Sequence, residues 1–497
     1  MTERSVDVIV IGAGIGGLAA AIDLAAAGRA VRVLEAAPRP GGKAGVVTLD
    51  GVEVDTGPSV LTLPDVFAAL LERAGRRLAD ELTLRRPEPC FRYVYADGAQ
   101  LDVHHDLGAT LASVRATLGP AAAGELEGFL AYARGIWEAA APVFVYGDAP
   151  NLPNLFGLGL GVLLGMTRVD PLSTMRRAIH HRVRSPHLRQ LLERYATYNG
   201  SDVRSAPATL NCIAHVELAL GGYGVQGGMV EVVRALVRAA EGLGVEIQCD
   251  TRVRRVRVDR GAVVGVEADD DTWHPAGQVV CNAEVAHLVE ALLPRSARSG
   301  IRVDGAPSTS GVNAIVRARR TGDRVAHTVL FPDDYEAEFA DLFDRDRPPS
   351  APSVYLCAQE PCHGRSGWAD DEPVFLMANA PAEPARGAQD PRLAEALLER
   401  ALERARGAGL LAPADAVLWR RSPADLAARF PGSRGALYGA ASNDPAAAFR
   451  RPPNAAPRIR GLYVASGSAH PGGGIPRAAL SGRAAARAAL GVAAKGS

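Results

Sequence analysis

The sequence predicts an α/β protein built on a parallel sheet, with an α+β domain interleaved in the chain. Val6 to Ile11 is a short apolar run rich in β-branched residues, which is typical of a strand buried on both faces of a parallel sheet. A glycine-rich turn, Gly12 to Gly17, follows, and an alanine-rich helix then continues to about Ala27. A second apolar strand, Val31 to Glu35, completes a strand–helix–strand unit. Such units build parallel sheets, because the helix returns the chain to the edge where the first strand began.

Further along the chain, the pattern changes twice. A hairpin is predicted about the turn Ala96-Asp97-Gly98, and mostly helical periodicity follows from about 107 to 200. The α/β pattern returns after Gly227. The elements predicted there are a helix from Gly228, a strand at Val245–Cys249, a hairpin about Asp259-Arg260-Gly261, a strand at Gln278–Asn282, a strand-like segment at Gly461–His470 and a final helix.

These patterns predict two discontinuous domains. The domain with the parallel sheet is predicted to consist of residues 1–85, 200–300 and 455–497. The interleaved α+β domain is predicted to consist of residues 86–199 and 301–454. We expect the first domain to hold a cofactor and the second a substrate.

The charge balance excludes one class of partner. The 497 residues contain 55 Lys and Arg against 55 Asp and Glu, a formal net charge of 0, so no overall field attracts nucleic acid. Hydrophobic residues make up 47% and charged residues 22%, which is typical of a folded globular protein.

Cysteine content and hydropathy indicate the compartment. Six cysteines are few for this length and predict reduced thiols on the cytoplasmic side. The amino terminus does not resemble a secretory signal, so no export is expected. Leu155 to Met166, a run of 12 residues, is the longest apolar run outside the amino-terminal strand, whereas a spanning helix needs about 20, so no bilayer crossing is expected.

The strongest local motif is Gly12-x-Gly14-x-x-Gly17, placed between a strand and a helix, with Glu35 at the end of the second strand. Glycines allow a tight turn and let backbone N–H groups approach a pyrophosphate at the helix N-terminus. The Glu35 carboxylate can accept hydrogen bonds from ribose hydroxyls. The combination predicts a Rossmann-type dinucleotide site, with an ordinary strand–helix turn as the alternative.

Three further glycine-containing stretches suit an extended cofactor. Arg39-Pro-Gly-Gly-Lys-Ala-Gly45 and Val54-Asp-Thr-Gly-Pro58 lie shortly after Glu35, and Ala465 to Pro476 precedes the final helix. A glycine pair beside cations favours a second approach to phosphates or to a flavin edge. We expect one cofactor to be bound from both ends of the chain; solvated glycine-rich loops are the alternative.

These motifs resemble a known family from end to end. Gly12 to Glu35, Gly41-Gly42-Lys43, Asp55 to Pro58 and His470 to Pro476 are similar to the bacterial phytoene-desaturase family of FAD-dependent carotenoid desaturases. Arg194–Tyr198, Tyr355–Gln359 and Arg429–Tyr438 most resemble its branch acting on 1-hydroxy or 1-methoxy acyclic carotenoids, the 3,4-desaturases. The resemblance implies an acyclic carotenoid substrate. Phytoene-type desaturation is the alternative.

The resemblance also implies non-covalent FAD and a set of residues that bind it. The implied cofactor residues are Gly12, Gly14, Gly17, Glu35, Ala36, Gly41, Gly42, Lys43, Gly57, Pro58, Val253, Gly467, Gly474, Ile475 and Pro476. Val253 is expected to contact adenine through its backbone, and Gly474 to Pro476 to lie beside the isoalloxazine. Lys43 departs from the arginine common in relatives, so a point charge replaces a bidentate phosphate contact.

Two side chains are candidates for proton transfer. Desaturation removes a hydride to the flavin and a proton from the neighbouring carbon. His215 and Glu217, close together in Ile213-Ala-His-Val-Glu-Leu, are the candidate catalytic residues. Reduced flavin as the proton acceptor, with both side chains in structural roles, is the alternative. No metal site is expected.

Residues 155–184 combine the apolar run with a cluster of Arg and His between Arg168 and Arg184. This composition is typical of a segment lying in a membrane interface, and a buried helix with a solvated basic face is the alternative. The resemblance favours a peripheral protein on the cytoplasmic face of the inner membrane, with oxygen or a quinone as final electron acceptor. A flavin amine oxidase and a non-enzymatic FAD- or lipid-binding protein are more distant alternatives.

Overall fold

A computed structural model describes residues 6–150, 169–170, 173–298, 300–303 and 305–492. In chain order its strands are β1 (Val8–Ile11), β2 (Val31–Leu34), β3 (Val46–Leu49), β4 (Val52–Asp55), β5 (Leu84–Arg85), β6 (Phe91–Val94), β7 (Gln100–Val103), β8 (Gly224–Val225), β9 (Glu246–Gln248), β10 (Val253–Asp259), β11 (Ala262–Ala268), β12 (Trp273–Pro275), β13 (Gln278–Cys281), β14 (Ser310–Arg319), β15 (His327–Leu330), β16 (Val354–Ala358), β17 (Asp371–Ala380), β18 (Ala416–Arg421) and β19 (Leu462–Val464).

Helices surround these strands. The α-helices are Ile15–Ala25, Pro64–Arg73, Leu78–Glu81, Leu107–Leu118, Pro120–Ala140, Met175–Arg182, Pro186–Glu193, Cys212–His215, Val230–Gly242, Val285–His287, Tyr335–Phe339, Gln359–His363, Pro391–Gly407, Pro423–Arg429, Ala447–Arg450 and Ile475–Leu490. Wider π-helical turns extend four of them, at Ala141–Val145, Val216–Leu220, Leu288–Leu292 and Ala340–Asp344, and 3-10 turns lie at Arg194–Asn199, Ala208–Asn211 and Arg295–Ala297.

A five-stranded sheet in the order β19-β13-β1-β2-β9 confirms the predicted parallel α/β architecture. Every neighbouring pair in it is parallel. The side chains of β1 alternate between two cores: Val8 and Val10 pack with the helices, and Ile9 and Ile11 pack toward the β10–β11 hairpin. The order of connection reverses between β1 and β13, and in such sheets the ligand binds beyond the carboxyl ends of the strands at that point.

A second sheet has the order β18-β14-β17-β16-β15-β6-β7. Its pairs are antiparallel except for β15 with β6. The helix Pro391–Gly407 covers one face through Leu397, Leu398 and Ala401. This mixed sheet contains the predicted hairpin β6–β7, and its other strands follow residue 300. The domain boundaries themselves stay a prediction.

The predicted hairpin about Asp259-Arg260-Gly261 is confirmed. Strands β10 and β11 pair antiparallel through Asp259 and Ala262. The two turn residues, Arg260 and Gly261, both have positive φ, 46° and 74°, as a two-residue turn matching the strand twist requires. The structure adds β12, which pairs with β11 and was not predicted.

Part of the predicted membrane segment lies outside the described residues, namely 155–168 and 171–172. The helix Met175–Arg182, in the later part of the same segment, is described. Arg176 of this helix forms ion pairs with Glu193 and Glu336, and the His180 ring lies 2.8 Å from Glu193. Some of the predicted cationic cluster therefore faces carboxylates of the protein itself. Among the helices of the described chain, none is long and apolar enough to span a membrane.

Candidate cofactor and substrate site

The first glycine turn is sterically closed to side chains. Gly12 has φ +94°, a conformation that favours glycine. A Cβ on Gly17 would lie under 3.0 Å from the carbonyl oxygen of Gly12, so the helix packs directly on the turn. The helix Ile15–Ala25 begins at Gly14, and no side chain caps its first amides. These amides, at the positive end of the helix dipole, are available to an anionic group.

Glu35 is bonded to the glycine turn. One carboxylate oxygen, Oε2, accepts from the backbone N–H of Ala13 at 2.6 Å, and Oε1 accepts from that of Ala37 at 2.8 Å. The carboxylate is therefore oriented at the end of β2 by two backbone donors. Its predicted role as a ribose acceptor uses the remaining lone pairs.

We expect Glu35→Ala to destabilise the turn and weaken cofactor retention. The change leaves the amides of Ala13 and Ala37 without their acceptor, which costs about 1–3 kcal/mol when the donors are buried. Chemical unfolding and the flavin-to-protein absorbance ratio measure the two effects. Glu241→Ala, at an exposed site on the helix Val230–Gly242, is the control. Equal flavin content in both variants would contradict the assignment.

The second glycine loop lies directly on the first. The backbone N–H of Gly41 donates to the carbonyl of Ala13 at 2.9 Å. A Cβ on Gly42 would lie 3.4 Å from the Cα of Gly14. Gly41 and Gly42 have positive φ, 134° and 57°. The structure thus brings these predicted residues together.

Lys43 and Gly57 are tied to the protein. The ammonium of Lys43 lies 2.8 Å from Oε1 of Glu284 and donates to the carbonyl of Ala436 at 3.2 Å. A Cβ on Gly57 would lie under 3.0 Å from the Lys43 carbonyl. In this structure the lysine charge is thus paired with a carboxylate, and its predicted phosphate contact stays a prediction.

The carboxyl-terminal loop joins the same edge of the sheet. The helix Ile475–Leu490 begins at Gly474 without a side-chain cap. It crosses the first helix at glycines: a Cβ on Gly482 would lie under 3.0 Å from the carbonyl of Gly16. Within the loop, Gly467 lies against Gly473. Since these two helices follow the parallel strands β1 and β19, both N-termini lie at the carboxyl edge of the sheet.

Asn282 was missed by the sequence interpretation. It follows β13 directly, and its backbone N–H donates to Ile11 at 2.8 Å. Its side-chain amide donates to the carbonyl of Ala465, and Gly14 packs against it. Asn282 therefore links the ends of three strands beneath the glycine turn. The signal for it was a polar residue at the carboxyl end of a buried strand.

Ala36 and Val253 lie on the outer side of Glu35. Ala36 is exposed. The backbone N–H of Thr251 donates to the Glu35 carbonyl at 2.8 Å, and Val253 begins β10 two residues later, buried. Their position beyond the end of β2 is compatible with the adenine end of a dinucleotide. Their roles stay predictions.

The glycine loops and helix starts described above form what we call the cofactor cradle. A cavity of about 540 Å³ adjoins it. Five of the predicted cofactor residues, Gly57, Pro58, Gly474, Ile475 and Pro476, line it. Most of the remaining wall is apolar, and its apolar side chains include Leu63, Trp137, Phe144, Val145, Val169, Ile213, Val216, Val329, Val354, Phe375, Met377 and Phe449. A cavity of this composition suits an apolar ligand that lies next to the predicted cofactor.

Four side chains, Arg194, Tyr198, Glu217 and Tyr355, form a polar end of this cavity. Arg194 is buried, and its guanidinium donates to the hydroxyl of Tyr198 at 2.8 Å. Burial raises the pKa of the Glu217 carboxyl above its ordinary value, and the Arg194 charge opposes that shift. We call these four residues the polar end.

The structure separates the two catalytic candidates. Glu217 lies in the π-helical turn Val216–Leu220 and lines the cavity. His215, two residues earlier at the end of the helix Cys212–His215, is buried, and among the described residues it is not part of the cavity wall. Burial lowers the pKa of its imidazole, with the charges of Arg134 and Glu138 acting in opposite directions.

Two arginines, Arg451 and Arg477, line the cavity beside the Gly474 helix start. Burial lowers the pKa of both guanidinium groups, to about 10 for Arg451, and the Arg477 charge adds to that shift. Arg477 donates to the amide oxygen of Asn199 at 3.0 Å, and Arg451 donates to the hydroxyl of Ser442 at 3.0 Å. Within the described residues neither pairs with a carboxylate, so this wall of the cavity is cationic.

Comparison with known proteins decides the family. The model of the family described as flavin-containing amine oxidoreductase matches residues 15–490. The chain belongs to this family. A hydroxyneurosporene desaturase of Rubrivivax gelatinosus is 34% identical over 490 residues, which is 97% of this chain and 93% of the relative. A hydroxyneurosporene desaturase of Rhodobacter capsulatus is 35% identical and covers 97% of each chain.

The same fold is found in solved structures. An oxidoreductase from Methanosarcina mazei superimposes with a TM-score of 0.62 at 17% identity, covering 96% of this chain and 99% of that one. The glycine turns, in which added Cβ atoms would clash, and the uncapped helix starts fit a dinucleotide, and membership of a flavin-containing family makes that dinucleotide FAD. The protein is an FAD-dependent oxidoreductase.

Proposed function

We propose that this protein desaturates an acyclic carotenoid, converting a carbon–carbon single bond to a double bond at the 3,4 position of a 1-hydroxy or 1-methoxy carotenoid. The observation that carries the proposal is the largely apolar cavity that adjoins the predicted flavin-binding residues. The similar proteins are named hydroxyneurosporene desaturases, which supports the same substrate class.

Desaturation requires few catalytic side chains. Bound FAD would accept a hydride from one carbon, while a proton leaves its neighbour and conjugation delocalises the charge. The protein holds one carbon pair in place and excludes water. Glu217 and His215 remain proposed proton acceptors, and only the first lines the cavity. Unchanged turnover in both Glu217→Gln and His215→Ala would remove them from the reaction.

We further propose that the protein is peripherally associated with the cytoplasmic face of the inner membrane, and that oxygen or a quinone reoxidises the flavin. A carotenoid substrate is dissolved in lipid, which requires contact with a membrane. Arg177, His181 and Arg184 are exposed and follow the apolar run Leu155 to Met166 in the sequence, and cations of this kind bind anionic headgroups. Flotation with anionic liposomes tests this, and an Arg177→Gln, Arg184→Gln double variant is expected to bind less.

The decisive experiment supplies substrates separately. The FAD-loaded protein with lipid is given phytoene, neurosporene or 1-hydroxyneurosporene, and the polyene is extracted. We expect a red-shifted polyene spectrum from 1-hydroxyneurosporene. Turnover of phytoene alone would favour the phytoene-type alternative. Oxidation of amines with no change in any polyene would contradict the proposal and favour an amine oxidase.

A further inference from the structure

The polar end of the cavity is unusual for a site that accepts a hydrocarbon. Arg194 and Glu217 both line the cavity wall and both are buried from bulk solvent. Burying charged or strongly polar groups costs free energy unless hydrogen bonds satisfy them. Arg194 donates to protein hydroxyls, whereas one oxygen of Glu217 has no partner in the described structure, and a ligand made only of carbon and hydrogen cannot supply one. This oxygen therefore indicates a ligand that also carries a polar atom.

The hydrogen bonds within the polar end leave capacity unused. The hydroxyl of Tyr195 donates to Oε1 of Glu217 at 3.0 Å. The other oxygen, Oε2, is buried and has no hydrogen-bond partner in the described structure. Tyr198 accepts from Arg194, and its own hydroxyl hydrogen faces the Glu217 carboxylate. The site therefore offers both an acceptor and a donor, which a hydroxyl group needs.

The groups of the polar end are held rigidly. The Arg194 guanidinium lies over the ring of Tyr198 at 4.7 Å and donates to the hydroxyl of Tyr93 at 3.1 Å. The Tyr355 hydroxyl lies 2.8 Å from Nδ1 of His327, which stacks on Phe91 with 4.5 Å between ring centroids. Polar groups held this firmly discriminate between ligands, because they cannot move to form new hydrogen bonds when the ligand offers none.

The polar end lies close to the loop that is predicted to contact the flavin. A Cβ on Gly222 would meet Val60 on one side and the Glu217 side chain, at 3.9 Å, on the other. Val60 follows Gly57 and Pro58 by a few residues and lines the same cavity. On a 1-hydroxy carotenoid, the oxygen is only a few bonds from the carbons of a 3,4 desaturation. Residues that bind that oxygen must therefore lie near the reacting carbons.

We propose that the polar end binds the oxygen at C1 of the substrate and thereby selects the bond that is oxidised. This proposal rests on the proposed function and names the residues that recognise its substrate. The tertiary hydroxyl of a 1-hydroxy carotenoid donates toward Glu217 and accepts from Tyr198, or from Tyr355 when Nδ1 of His327 carries the hydrogen of the bond that joins the two side chains. A carotenoid without oxygen leaves Oε2 of Glu217 unpaired in a largely apolar cavity, and this disfavours its binding. A binding site rejects a ligand that leaves a buried polar group unpaired more strongly than a ligand that only lacks an apolar contact.

The test compares two substrates across matched variants. The ratio of kcat/KM for 1-hydroxyneurosporene to that for neurosporene is measured in the wild type, Tyr198→Phe and Tyr355→Phe. Each variant loses one hydroxyl group and keeps its ring. Tyr95→Phe is the control, because the Tyr95 hydroxyl donates to the His187 carbonyl at 3.1 Å and lies outside the cavity wall. Flavin absorbance checks that each variant is folded and loaded.

We expect the wild-type ratio to exceed about tenfold and to fall about two- to tenfold in Tyr198→Phe or Tyr355→Phe, since one hydrogen bond contributes about 0.5–1.5 kcal/mol. The ratio in Tyr95→Phe should equal that of the wild type. Equal ratios in all four proteins, or a wild type indifferent to the hydroxyl, would overturn the polar end as the recognition site while leaving desaturation intact. A wild type that oxidises neither compound would instead contradict the proposed function, and the recognition site would fall with it.

Discussion

Gly17→Ala is expected to abolish FAD retention and to lower the free energy of unfolding by about 3 kcal/mol. The added Cβ would lie under 3.0 Å from the carbonyl oxygen of Gly12, and a backbone atom in a turn cannot rotate away as a side chain can. The turn or the helix Ile15–Ala25 must therefore shift, and its first amides move with it. Loss of flavin absorbance from the purified protein and a lower unfolding midpoint measure the two effects.

Gly124→Ala provides the matched control for this prediction. It lies in the helix Pro120–Ala140, and a Cβ there meets nothing within 4 Å. Alanine is the better helix former, so this variant should keep its flavin and gain slightly in stability. If Gly17→Ala retained FAD as Gly124→Ala does, the close packing of helix on turn would not be needed for cofactor binding.

Acidification from pH 7 to pH 4 is expected to cost about 3 kcal/mol of stability through His470 alone. This side chain is buried in the carboxyl-terminal glycine loop, and its Nε2 lies 3.1 Å from the carbonyl of Gly147. Burial lowers the pKa of the imidazole from 6.5 to about 4. Between those values the unfolded chain binds a proton that the folded protein does not, so stability falls as the pH falls. Well above pH 6.5 the imidazole is neutral in both states and contributes no slope.

The variant His470→Gln isolates this contribution. It keeps an amide N–H that can donate to the Gly147 carbonyl and removes the titrating group. Urea unfolding at several pH values gives the free energy of unfolding of wild type and variant as a function of pH. The two curves should be parallel well above pH 6.5 and converge toward pH 4. Curves that stay parallel throughout would show that His470 takes up its proton equally in both states.

The sequence was most informative where the chemistry is local. The turn from Gly12 to Gly17, the adjoining strands and the hairpin about Arg260 and Gly261 each depend on residues that are neighbours along the chain. Glycine is needed there for positive φ or close approach, and apolar runs of strand length mark burial. Such requirements are visible in a single sequence.

The remainder of the site depends on contacts between distant residues. Asn282 bonds to Ala465 across 183 positions, and Lys43 pairs with Glu284 across 241. The polar end could not be inferred from spacing, because the sheet order and a π-helical turn bring Arg194 and Glu217 to one cavity. Glu217 was a candidate proton acceptor from the sequence because of its carboxylate, but the tyrosines around it were not placed beside it.

The crossing of the first and last helices at Gly16 and Gly482 has a consequence for biosynthesis. During translation, the strand β1 and its glycine turn leave the ribosome first, while β19 and the helix Ile475–Leu490 leave more than 400 residues later. Until then one edge of the parallel sheet is unpaired, and the face of the first helix that Gly482 covers is open. The glycine turn and the last helix can therefore come together only after most of the chain has been made.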